Sequence, residues 1–126
     1  MPYPLSFIAM PIVLHKSTRE SLPRAISTSL VTWLGENPQV HIRFADRATS
    51  LVPLIKEGVL FGVNGQMLNV SSSRIAAATK PSSMARFLRE SSDEVRDCMA
   101  KAKFVGRWFA SSGDYTTVMT LLGVMP

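Results

Sequence analysis

Apolar positions divide this chain into four segments set apart by proline, glycine and serine clusters. In residues 1–16, Leu5, Phe7, Ile8, Met10, Ile12 and Leu14 are too apolar to lie in water. Pro2, Pro4 and Pro11 bar a regular helix there. The segment therefore reads as an extended arm that something covers. It ends in the polar corner His15-Lys16, and Ser17 with Glu20 then spells the Ser-x-x-Glu box that caps a helix start.

Residues 17–64 read as a helical hairpin. Leu22, Ile26, Leu30, Trp33 and Leu34 form one stripe, stopped by Gly35. Asn37-Pro38 restarts a helix whose apolar face carries Val40, Phe44, Ala48, Leu51, Val52, Ile55 and Val59. Pro53 predicts a kink or break near Thr49 to Val52. Gly58, Gly62 and Asn64-Gly65 end the element.

Residues 65–80 read either as a short hairpin or wing, with strands at Gln66–Val70 and Arg74–Thr79, or as an irregular loop. In residues 81–126, Pro81-Ser82-Ser83 is loop and Met84 to Arg89 a helical turn. A second box, Ser91 to Glu94, opens the clearest helix, with Val95, Cys98, Met99, Ala102, Val105, Trp108 and Phe109 on one face. Its acidic start and basic end suit the helix dipole. A last helix, Thr116 to Leu122, is capped by Asp114 and stopped by Gly123. The fold class expected is one mainly α domain over 1–126 with one short β-hairpin, winged-helix-like in build.

Composition narrows the class. With 126 residues, 46% hydrophobic and 18% charged, the chain suits a single globular core rather than a disordered one. The uncharged run Met1 to Leu14 is too short and too proline-rich for a membrane span, and it lacks the basic start of a signal peptide. A cytoplasmic protein is expected. The net charge of +5 points to an acidic partner, either nucleic acid or an acidic protein face. The basic residues are dispersed, most densely from Lys80 to Arg107, where seven basic residues meet four acidic ones.

Catalytic and cofactor chemistry finds little support. Two histidines and one cysteine, Cys98, sit at no metal-ligand spacing and form no internal disulfide. Neither a phosphate-binding Gly-x-x-x-x-Gly-Lys-Ser/Thr nor a dinucleotide Gly-x-Gly-x-x-Gly occurs. His15 has only Glu20 nearby as an orienting carboxylate and reads as structural; His41 reads as exposed. Trp108 and Phe109 read as core, or as a partner anchor if Trp108 is exposed. Gly106, costing about 1 kcal/mol relative to Ala in a helix, points to close approach of another helix. No catalytic residue, cofactor or metal is expected.

The stretch Pro11-Ile12-Val13-Leu14-His15-Lys16-Ser17-Thr18-Arg19-Glu20-Ser21-Leu22-Pro23 resembles the opening signature of the type-three middle components of bacterial three-component ABC-ATPase systems. Leu60-Phe61-Gly62, Ala102 to Ala110 and Leu121-Leu122-Gly123-Val124 agree in order and spacing across nearly the whole chain. The resemblance implies a non-enzymatic accessory subunit encoded beside an SMC-like ABC ATPase and an effector such as a nuclease, as in Lamassu anti-phage systems. It would touch DNA mainly through that complex, and no membrane. The resemblance also implies a further N-terminal helical stretch, whereas this chain starts close to the signature. Two surfaces are expected to meet partners: the corner His15, Lys16, Arg19 and Glu20, and the C-terminal helix face with Lys103, Arg107 and Trp108. The alternative is a free-standing winged-helix DNA-binding protein, against which the apolar helix before the wing counts.

Overall fold

The computed structural model describes residues 1–124. Its described residues form eight α-helices and one two-stranded antiparallel hairpin, a mainly α architecture with a minor β element. The elements are α1 (Ser6–Leu14), preceded by a 3-10 turn at Tyr3–Leu5, then α2 (Lys16–Glu20), α3 (Leu30–Glu36), α4 (Pro38–His41) and α5 (Phe44–Asn64). The hairpin β1 (Leu68–Ser71) and β2 (Arg74–Ala77) follows, then α6 (Pro81–Glu90), α7 (Asp93–Ala110) and α8 (Tyr115–Leu121).

The expected extended arm is a helix, and it lies at the centre of the fold. α1 packs against α5 on one side and α7 on another. Ile8, Ile12 and Val13 are buried in the core with Phe44, Val105, Trp108 and Phe109. A helix apolar on nearly every face belongs inside and shows no stripe to reveal it. Pro11 sits inside α1. Its missing N–H forgoes one helical bond, a loss opposed by the burial of Ile8, Ile12 and Val13 around it.

Other expectations are corrected. The Ser17–Glu20 box does not cap: α2 begins at Lys16, and its N-cap is His15, two residues before Ser17. Residues 21–29 form no helix; regular structure resumes only at α3, where the Ser29 hydroxyl accepts the Thr32 N–H at 3.1 Å. α5 runs unbroken through Pro53, Gly58 and Gly62 to Asn64. Thr49 and Ser50 hydroxyls donate to the Ala45 and Asp46 carbonyls at 2.9 and 2.8 Å, just ahead of the proline. α6 begins at Pro81, where loop was expected. The cap of α7 is Ser92, one residue beyond the expected Ser91. Asp114 caps α8 as expected, accepting the Thr117 N–H at 2.9 Å.

The hairpin pairs Leu68 with Ala77 and Ser71 with Arg74. Its strands are shorter than expected and its turn is only Ser72-Ser73, both at positive φ (50° and 60°). That is the turn hand that follows the twist of two-residue hairpins. The hairpin is not a free wing. Residues 1–3 lie along β2, with the Tyr3 N–H donating to Ser73 O and the Ile75 N–H to Met1 O, each at 2.7 Å. On its other side Leu68 packs over Gly62 of α5, where a β-carbon would stand 2.6 Å from Leu68 Cδ1.

Candidate partner-binding surfaces

The corner between α1 and α2 is built around one buried cation. Arg19 is only 3% exposed. Its Nη1 donates to the Val13 carbonyl at 2.8 Å, satisfying a last-turn carbonyl of α1. Nε donates to Asp97 Oδ2 at 2.8 Å and Nη2 to Glu94 Oε1 at 3.4 Å, both on the first turns of α7. Burial works against the guanidinium charge, but the bonds to Asp97 and Glu94 outweigh it and raise its pKa. Arg19 therefore ties three helices together, and around it Lys16 and Glu20 project to the surface.

His15 turns back onto its own helix, with Nδ1 2.7 Å from Thr18 Oγ1. Arg47 Nη2 donates to the same hydroxyl oxygen at 3.5 Å. The Thr18 proton is thereby free to go to Nδ1, which suits a neutral imidazole. Burial first, and the charge of Arg47 second, lower the His15 pKa below its ordinary 6.5. The nearest charged group is a cation, so nothing here equips His15 as a general base.

The second surface lies along α7. Lys103 and Arg107, one turn apart, are both exposed, and Arg74 of the hairpin joins them in lining a cavity of about 690 Å³. None of the three cations has an acidic partner among the described residues. The one acid lining that cavity, Asp114, is held by bonds from the Thr116 hydroxyl and the Thr117 N–H and hydroxyl, which lower its pKa. Arg74 was not singled out in the sequence; only the hairpin's fold-back brings it to α7. Trp108, on the same helix, faces inward at 0% exposed. Its indole N–H donates to Thr28 O at 2.7 Å. Of the expected contact residues, then, Arg19 and Trp108 lie inside and support the surface from beneath.

Gly106 does not serve close packing within the chain: a β-carbon there meets nothing within 4 Å. Cys98 is half-buried against the core. His41 is exposed at the end of α4. No group of three or more metal-ligating side chains occurs among the described residues, and no described helix is long and apolar enough to cross a membrane.

The family model of the ABC-three component (ABC-3C) system Middle Component 3 matches residues 1–126, and the chain belongs to that family. Neither a curated protein nor a solved structure matches it. As a middle component it is an accessory part that works with the other components of a three-component ABC system.

Proposed function

We propose that this chain is a non-enzymatic adaptor in the cytoplasm, holding an effector such as a nuclease against an SMC-like ABC ATPase in a Lamassu-type anti-phage or anti-plasmid complex. The observation that carries the reading is the exposed, unpaired cation set Lys103, Arg107 and Arg74 on a chain of net charge +5. Free cations of this kind steer and orient an acidic protein face. The corner residues Lys16 and Glu20, with His15 and Arg19 fixing them, supply a second contact patch, and Trp108 holds the α7 face in place.

The same net charge is what favours the second reading, a free-standing DNA-binding protein. Against it, α5, the helix before the hairpin, exposes Leu54, Leu60 and Phe61, the last 71% exposed. A major-groove helix needs polar side chains there. Binding of a fluorescent duplex by the isolated chain across a salt series separates the two. The adaptor reading expects weak binding that is gone at physiological salt, and co-elution with the ATPase on size exclusion. Tight, sequence-selective binding by the chain alone would overturn it.

A further inference from the structure

Beside the basic cavity, α1, α5, α7 and the hairpin leave a second, almost wholly apolar groove between them. Its volume is about 440 Å³, and Met10, Leu14, Leu54, Gly58, Ile75 and Gly106 are among its lining residues. Met10, Leu14 and Leu54 are exposed large apolar side chains, so this wall is unfinished by the chain itself. The two glycines are the sharper observation. Each sits inside a helix, where glycine costs about 1 kcal/mol relative to alanine. Yet a β-carbon at Gly58 or Gly106 meets nothing within 4 Å. Packing within this chain requires neither, and both open onto the same groove from different helices. Bare backbone on facing walls leaves room for a further helix to come close.

The groove and the basic cavity share Met1, Ala102 and Gly106 in their linings. An apolar slot thus runs into a mouth carrying Arg74, Lys103 and Arg107. We propose that the groove seats an amphipathic α-helix of another component of the complex. Its apolar stripe lies against Leu14, Leu54 and the two glycines, and its acidic flank against the three cations. A second copy of this chain is the wrong occupant, because its net charge is +5. The acids on the first turns of its long amphipathic helix, Glu94 and Asp97, are already held by Arg19. This inference rests on the adaptor reading and specifies the chemistry of the segment received.

The test uses the chain co-expressed with the other two components, with photoreactive benzoylphenylalanine in place of Leu54 and the cross-linked peptide identified by mass spectrometry. The expected product is a peptide of another component with apolar residues at helical spacing and Asp or Glu on its flank. Gly58→Leu, which fills the groove, lowers the cross-link yield by about tenfold, the scale of one anchoring contact. The double variant Lys103→Glu/Arg107→Glu, which touches no core residue, does the same. Gly35→Leu, in α3 and equally unobstructed, leaves the yield unchanged. A cross-link to the same chain, a peptide without acidic residues, or a complex whose cross-link survives the charge reversal would overturn the groove assignment. If the complex forms but Leu54 cross-links nothing within it, the groove assignment alone falls. If the chain elutes apart from both components, the adaptor reading falls and takes the groove with it.

Discussion

The rings of Trp33 and Trp108 meet edge to face, their centroids 5.2 Å apart and their planes at 82°. Each indole N–H leaves this contact toward the irregular segment before α3. Trp33 donates to Ser21 O at 2.8 Å and Trp108 to Thr28 O at 2.7 Å. Residues 21–29 are thus pinned at both ends by one aromatic pair. Trp108→Phe removes a donor from a half-buried carbonyl and leaves a void, costing roughly 2 kcal/mol in urea unfolding. The double variant with Trp33→Phe costs measurably less than the sum, because the two rings share one contact.

Arg19 makes the second prediction. Arg19→Met breaks three contacts at once, with Val13 O, Asp97 and Glu94. Both acids remain hydrated, so the loss centres on the buried carbonyl and amounts to roughly 2 kcal/mol. Arg19→Lys recovers only part of it, since an ammonium cannot fork between the three acceptors. Lys16→Ala and Glu20→Ala, on the exposed side of the same corner, stay within about 0.5 kcal/mol of the native chain.

Two glycines should respond oppositely to the same substitution. Gly106→Ala adds a β-carbon to open space and removes a helix-interior glycine, raising stability by up to about 1 kcal/mol, or Tm by roughly 3–5 °C. Gly62→Ala places that carbon 2.6 Å from Leu68 Cδ1 and 2.9 Å from its Cγ. Leu68 must turn its side chain aside or β1 must shift on α5, a strain that outweighs the gain from losing a helix glycine and leaves a net loss of roughly 1 kcal/mol. Calorimetry showing both variants stabilised would mean that the Leu68 side chain is not held over Gly62.

His15 predicts a pH dependence of definite sign. Its pKa is lowered in the fold from the ordinary 6.5, so below that value the unfolded chain binds the proton first. Stability is therefore full above 6.5 and declines as pH falls from there toward the lower folded value. His15→Gln, measured by urea unfolding across this range, flattens the decline; an unchanged slope would place its origin elsewhere.

How far the sequence disclosed this arrangement depended on whether the determining contact was local. The α7 stripe disclosed the buried Val105, Trp108 and Phe109 and the exposed Lys103 and Arg107, although Val95 at its start is exposed. The Asp114 cap of α8 was equally readable. α1 was not, because prolines argue against a helix and apolar residues on its exposed side, Met10 and Leu14, erase the periodicity that argues for one. The segment from Leu22 carried a plausible stripe, but the Ser29–Thr32 cap starts the helix later and the two indoles hold the residues before it open. Arg19 looked like a surface charge because its acids lie 75 and 78 residues away. The groove was invisible for a related reason: its walls come from α1, α5, α7 and the hairpin, and none alone shows an unpartnered face.

We propose that this middle component bridges the two others. The most direct test is the mass of complexes formed by the ATPase and effector components with and without this chain, by size exclusion with light scattering. A bridging subunit gives one species containing all three when the chain is present, and separate ATPase and effector when it is omitted. Co-elution of ATPase and effector without the chain, to the same extent as with it, would rule out a bridging role.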